Sequence, residues 1–244
     1  MRRKTLLLEE PKGPWAAFLQ EFFEDTDSTL EVHNLASQAK TSFDRHHHDV
    51  LFVDPRLMPM NFVQGIKASK QTYSELKVIA IGPASLGERR FPCDDFFPEL
   101  LGCGDFQRKF LKRFEFPDSL EVLVVDDEKD IGEMVRDFLE SRKNPSFSVR
   151  YAENGMRGLE ELEKKKPDVL VLDIKMPLKD GREVYRESRE KNIVVPTIVF
   201  FDAISGDEIS DVRSHGKAAV IEKGSPQSAL PDLMELIKKM YCFS

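Results

Sequence analysis

The feature that most constrains this chain is a pattern spelled twice. An apolar run ends in two adjacent acids, Glu9-Glu10, and the arrangement returns 117 residues later as Asp126-Asp127. In each half a later apolar run closes on a single acid, Asp54 after Val50–Val53 and Asp173 after Val169–Leu172. Short apolar runs read as strands, and segments whose apolar residues recur three and four apart read as amphipathic helices. Strands alternating with helices predict a parallel sheet covered on both faces. The repeat is too long for a solenoid unit. It predicts two tandem α/β domains, residues 1–117 and 118–244, joined at Phe116-Pro117-Asp118-Ser119.

The C-terminal half is spelled more clearly. Leu120–Val125, Phe147–Tyr151, Val169–Leu172, Thr197–Phe201 and Ala219–Ile221 are predicted strands. Ile131, Met134, Val135, Phe138 and Leu139 mark the helix after the first of them, and Asn144-Pro145 stops it. Glu153–Lys166 is predicted helical with Met156, Leu159 and Leu162 inward, Gly181–Lys191 is a further helix, and Leu230, Leu233, Met234 and Ile237 mark the last. In the N-terminal half the predicted strands are Thr5–Leu8, Leu30–Leu35, Val50–Val53, Val78–Ile81 and a short one at Phe96-Phe97. Trp15, Phe18, Leu19, Phe22 and Phe23 form one helix face, and Phe110, Leu111 and Phe114 mark a closing helix. The many Phe residues of this half are expected in its core, with some left for an interface.

Composition narrows the function classes. Hydrophobic residues make up 41% of the chain, enough for two packed cores. No apolar run approaches the roughly 18 residues of a spanning helix, and the apolar start breaks at Glu9-Glu10, too early for a signal peptide. A cytoplasmic protein is expected. A net charge of −7 argues against a nucleic-acid surface. Cys93, Cys103 and Cys242 lack metal-ligand spacing and read as reduced thiols. His46-His47-His48 is a weak metal motif, because adjacent residues at a helix end do not share a face.

The chemistry gathers in the C-terminal half. In an open parallel sheet the carboxyl ends of the strands share one edge, where ligands bind. Asp126-Asp127, Asp173 and Lys223 follow the first, third and fifth strands, so they should converge there. Three carboxylates in one crevice repel unless a cation intervenes, and hard oxygen ligands suit Mg²⁺. The Lys223 ammonium is a mobile point charge suited to phosphate. Acids after strands also cap helices, which is the competing reading for Asp126 alone.

The ordered set resembles a two-component response regulator receiver domain. Val122-Leu123-Val124-Val125-Asp126-Asp127-Glu128 is similar to the family's opening. Pro167-Asp168-Val169-Leu170-Val171-Leu172-Asp173-Ile174-Lys175-Met176-Pro177, followed by Asp180-Gly181, is similar to its phosphoacceptor segment. Ala152-Glu153-Asn154-Gly155 fits the start of the second helix. The resemblance implies two tandem doubly wound, flavodoxin-like folds, each on a five-stranded parallel sheet. It implies that Asp173 takes a phosphoryl group from a histidine kinase, a histidine phosphotransfer protein or a small donor. It implies Mg²⁺ bound by Asp127 and Asp173, with Asp126 acting through water and the backbone carbonyl of Lys175 as a further ligand. Lys223 would contact the incoming group.

Several places depart from the family. Its Ser or Thr at the end of the fourth strand becomes Asp202 when counted from Ala203, or Phe201 when counted from Pro196. An acid 5 Å from a phosphoryl group would repel it by roughly 3 kcal/mol at an effective dielectric of 20. Ser205 could substitute only if its loop folds back. Val220 stands where an aromatic reporter is usual, and Gly224-Ser225 follows Lys223 where a proline and an aromatic are usual. The N-terminal half departs further, with the longer acids Glu9-Glu10, a displaced Met58-Pro59, and Glu99 in the lysine place. Residues 1–117 therefore read as a degenerate, unphosphorylated receiver-like domain, unless Lys77 or another lysine reaches its pocket.

The expected protein is a regulator, not an enzyme, that signals through an unidentified downstream protein with no output domain of its own. It would bind neither nucleic acid nor membrane, and homodimerisation is left open. The alternatives are an inert receiver-fold scaffold and an aspartate-nucleophile phosphatase. The phosphatase fits poorly, since Asp126-Asp127 has the wrong spacing and Asp173-Ile174-Lys175 puts Lys where a second Asp is needed. No phosphate-binding glycine loop is present.

Overall fold

A computed structural model describes residues 3–83, 91–98, 101–202 and 205–244. The chain divides into two compact units, Met1–Arg113 with Phe243–Ser244, and Phe114–Cys242. Each unit is a five-stranded, wholly parallel sheet with helices between the strands, the flavodoxin-like receiver architecture in tandem.

In the first unit the elements run β1 (Lys4–Leu8), α1 (Trp15–Phe23), β2 (Thr29–His33), α2 (Ala36–Arg45), β3 (Val50–Val53), a 3₁₀ turn (Pro55–Leu57), α3 (Met60–Thr72), β4 (Lys77–Ile81), β5 (Asp95–Phe97) and α4 (Cys103–Leu111). The strand order is β2-β1-β3-β4-β5. All four residues of β3 are buried, as a central parallel strand covered on both faces requires. Phe22, Phe52, Phe97, Phe106 and Phe110 are fully buried, and Trp15 joins them. Their rings meet mostly edge-on or tilted, as at Phe22–Phe106, 5.0 Å between centroids.

The second unit repeats the order as β6 (Ser119–Val125), α5 (Lys129–Glu140), β7 (Ser146–Ala152), α6 (Gly155–Lys164), β8 (Val169–Leu172), α7 (Gly181–Glu190), β9 (Thr197–Phe201), α8 (Gly206–Ser214), β10 (Ala219–Glu222) and α9 (Pro226–Phe243). Its strand order is β7-β6-β8-β9-β10. The chain reverses its direction of winding between β6 and β8. The register pairs Val125 with Leu172 and Leu172 with Val199, so the acids that follow these strands lie on one edge.

Some expectations change. Helix α6 is shorter than Glu153–Lys166, because Asn154 caps it by accepting a hydrogen bond from Arg157 N at 3.0 Å. Met156 is exposed rather than inward. The buried stripe of α6 runs through Gly155, Gly158, Leu159 and Leu162. A Cβ at Gly158 would lie 2.6 Å from a methyl of Val125, so the helix sits too close to the sheet for any larger residue. Leu35 lies past the end of β2 and is exposed. Phe114 lies beyond α4, is buried, and belongs to the second unit.

The histidine triplet splits by position. His46 and His47 are exposed, while His48 is buried on Phe43 with both ring nitrogens lacking a hydrogen-bond partner. Burial lowers its pKa below the ordinary 6.5, against the upward pull of Glu31, whose carboxylate lies 3.6 Å from His48 Nε2. The unfolded chain therefore takes up this proton first as pH falls, and stability drops below about pH 6.5. We expect His48→Phe to flatten that acid slope in urea titrations of the first unit's transition. An unchanged slope would place the acid sensitivity elsewhere.

Candidate functional site

The site of the second unit grows from three strand ends. Asp173 follows β8, and its N–H donates to Val125 O at 2.9 Å, which ties it to the end of β6. Asp126 follows β6 and is 1% exposed. Its Oδ1 accepts from Glu128 N at 2.9 Å and its backbone carbonyl accepts from the Tyr151 hydroxyl at 2.7 Å. Asp127 turns outward and is exposed. Ligand oxygens of Asp126, Asp127 and Asp173 lie within 4.8 Å of one another.

Lys223 directly follows β10, where its N–H donates to Phe201 O at 2.6 Å. Its side chain is only 4% exposed and reaches into the acids. Nζ lies 3.0 Å from Asp126 Oδ2, 3.5 Å from Asp173 Oδ1, and 3.6 Å from both Glu128 and Asp202. Burial pulls the pKa of this ammonium down, but the surrounding carboxylates outweigh it and hold it above the ordinary value. Burial pushes Asp173 up to about 6, Lys223 opposes this, and the Asp126 charge adds to it. Burial likewise raises Asp126.

The loop after Asp173 explains the spelling of its motif. Ile174 and Met176 are buried anchors. Lys175 is exposed two residues past Asp173. Asp180 caps α7 in a reciprocal capping box with Glu183. Gly181 N–H donates to Ile174 O at 2.9 Å, and a Cβ at Gly181 would lie 2.1 Å from Asp173 O. Helix α7 therefore begins hard against the backbone of Asp173. We expect Gly181→Ala to cost about 1–3 kcal/mol by overpacking, read as a shift in the urea midpoint. No shift would mean that this close approach is not needed.

The fourth-strand ambiguity resolves toward Asp202. Strand β9 ends at Phe201, which packs half-buried on the core, and Asp202 is the residue that meets Lys223. Ser205 does not fold back. Its hydroxyl accepts from Glu208 N at 3.2 Å as the cap of α8. Ala203 lies outside the described residues.

At the matching edge of the first unit, Asp54 is buried and Glu9 is buried. Glu9 accepts from Trp15 N at 3.1 Å and Ala16 N at 2.7 Å, at the start of α1. Lys77 opens β4 in register with Val50, at the opposite end of the strand from Asp54, so it is not the rescuing cation. Arg56 is instead the cation beside Asp54. Pro98 follows β5 directly, and Glu99 lies outside the described residues. Sequence reasoning missed Arg56, Glu128 and Tyr151 as partners of these acids.

Residues 122–235 match the family model for the response regulator receiver domain. The chain is 30% identical over 127 residues to the protein-glutamate methylesterase/protein-glutamine glutaminase of Treponema denticola, covering 50% of this chain and 34% of that protein. It is 37% identical over 81 residues to the response regulator MprA of Mycobacterium bovis, covering 33% of this chain and 34% of that protein. The chain thus spans about a third of the length of these curated relatives. Among solved structures, the response regulator domain of Thermotoga maritima CheB is 22% identical, with a TM-score of 0.47, over 52% of this chain and 98% of that one. Among the described residues no helix is long and apolar enough to cross a membrane. Through residues 122–235, the second unit of this chain is a response regulator receiver domain.

Proposed function

We propose that Asp173 accepts a phosphoryl group from a histidine kinase, a histidine phosphotransfer protein or a small acyl phosphate, and that the product signals by protein contact. Residues 118–244 form the phosphoacceptor domain, and residues 1–117 form a receiver-like domain that takes no phosphate. The observation that carries this reading is the meeting of Asp126, Asp127 and Asp173, with the buried Lys223 ammonium against Asp126 and Asp173.

The chemistry follows from charge. An Asp173 oxygen attacks phosphorus, a P–O bond forms, and the P–N or P–O bond to the donor breaks, with the electron pair leaving on the donor. Such transfers need alignment and neutralisation of the equatorial oxygens more than covalent help. Lys223 lies 3.5 Å from Asp173 and can turn from carboxylate to phosphoryl oxygen. The donor set also fits Mg²⁺: it is three clustered carboxylates, all hard oxygen, and the ammonium lies against only two of them. Asp127, Asp173 and the Lys175 carbonyl would hold the ion, with Asp126 acting through water. When bound, the ion neutralises charge on the phosphoryl oxygens. Asp126 suits an indirect role, since one of its oxygens is held by Glu128 N and the other by Lys223.

The test is labelling by acetyl phosphate, followed by intact mass. Wild type should gain one phosphoryl group with Mg²⁺, and Asp127→Ala and EDTA-treated protein should label at least about 100-fold more slowly, from loss of charge stabilisation. Equal rates in all three would end this reading of the site. Asp202 should act as a brake, because its exposed carboxylate competes for Lys223 and repels the incoming group. Asp202→Thr should raise the rate roughly tenfold after solvent screening of the charge. A slower Thr variant would show that Asp202 helps the reaction.

A further inference from the structure

The first unit carries its own cation where a phosphoacceptor site takes a metal. Asp54 caps the 3₁₀ turn that follows β3, accepting a hydrogen bond from Arg56 N at 2.9 Å. That turn sends the Arg56 side chain back over the same carboxylate. Arg56 Nε lies 3.0 Å from each Asp54 oxygen, and Nη2 lies 2.5 Å from Oδ2. The same Nη2 lies 3.3 Å from Glu10 Oε1. In the repeat, Asp54 and Glu10 are the counterparts of Asp173 and Asp127, and Arg56 stands two residues past Asp54, as Lys175 stands two past Asp173.

We propose that the Arg56 guanidinium, bridging Asp54 and Glu10, is the resident cation of the first unit, so that this unit binds no divalent metal. The inference rests on reading residues 1–117 as a receiver-like fold. Among the described residues, each acid of this edge has a partner. Asp54 has both oxygens in the guanidinium fork, Glu10 shares that fork, and Glu9 is taken by the first N–H groups of α1. A metal needs carboxylate oxygens with free lone pairs, and a nucleophile needs the same. Asp54 offers neither without breaking the fork. A guanidinium is not deprotonated in proteins, and it is tethered to the carboxylate it neutralises. The neutralisation is therefore permanent, whereas a metal-loaded acid site is reversible.

Removing the guanidinium should uncover a cation site. The experiment counts Mn²⁺ ions bound per full-length chain. Wild type should bind one and Asp127→Ala none. Arg56→Ala should bind two, and Arg56→Ala with Asp127→Ala should bind one, roughly tenfold weaker than the wild-type ion, since Glu10 is exposed. Adding Asp54→Asn to the Arg56 variant should abolish the gain. If Asp127→Ala binds as wild type does, the reading of the second unit fails, while the difference between Arg56→Ala and its parent still reports on the first. The inference is overturned if Arg56→Ala gains no ion in either background. It is also overturned if Asp127→Ala, with Arg56 intact, binds an ion that Asp54→Asn removes. Should Arg56→Ala not fold, Arg56→Gln keeps a donor for Asp54. Its melting temperature should climb with Mn²⁺ more steeply than that of wild type, and equal dependence would overturn the proposal.

Discussion

Replacing Lys223 by Met should destabilise the second unit by about 3–5 kcal/mol, the usual cost of removing one partner from a buried ion pair. Met keeps most of the apolar stem, so lost packing is a small part of the effect. What is lost is the charge that faces Asp126 at 3.0 Å and Asp173 at 3.5 Å, in a pocket where all three groups are nearly inaccessible to water. Two buried carboxylates would then face each other and exposed Asp127 with no ammonium among them. They can escape only by taking up protons or a cation. The variant should therefore recover stability as pH is lowered and as Mg²⁺ is added, the latter because a ligand bound only by the folded state stabilises it. Urea titrations in EDTA at neutral pH, repeated at acid pH and with Mg²⁺, give all three results. A loss below about 1 kcal/mol would mean that Lys223 behaves as a surface lysine. On the proposed role of Lys223 toward the incoming group, the same variant should also label far more slowly.

Asp173→Asn should abolish phosphorylation and stabilise the metal-free protein at the same time. The amide keeps the shape, loses the nucleophile and removes a buried charge. The sign follows from the raised pKa of about 6. Asp173 binds its proton more tightly folded than unfolded. Stability is highest below the unfolded value near 3.8, falls as pH rises through about 6, and stays reduced above that. The full shift would correspond to about 3 kcal/mol. Partial solvent screening makes about 1–2 kcal/mol the reasonable expectation at neutral pH. The Asn variant should gain this much over wild type above pH 7 in EDTA, and the gain should vanish near pH 4. Mg²⁺ should narrow the gap, because it favours the ionised wild-type carboxylate. An Asn variant less stable than wild type above pH 7 would contradict the assigned burial cost.

Much of this was legible in the chain, for physical reasons that differ by residue. The strands Val50–Val53 and Val169–Leu172 were legible because a strand buried on both faces leaves an unbroken apolar run. Asp126, Asp173 and Lys223 were legible as one site because parallel strands bring their carboxyl ends to one edge. The place of Asp202 was not, because counting from either end of a strand errs by a residue, and only the end of β9 at Phe201 settles it. Met156 was misplaced because the inner face of α6 is lined by Gly155 and Gly158, which an apolar pattern does not register. Helices α2, α3 and α8 were not assigned. Arg56 was invisible because its meeting with Asp54 depends on a turn that folds a side chain back over its own cap, which no periodicity reports.

The central claim is that one acid of this chain, Asp173, is a phosphoacceptor and that its counterpart Asp54 is not. The direct measurement is site-resolved mass spectrometry of the full chain after treatment with acetyl phosphate and Mg²⁺. The account predicts one phosphoryl group per chain, located on Asp173 and absent from Asp173→Asn, with none on Asp54. A label on Asp54 at a comparable rate, or a full label persisting in Asp173→Asn, would contradict it.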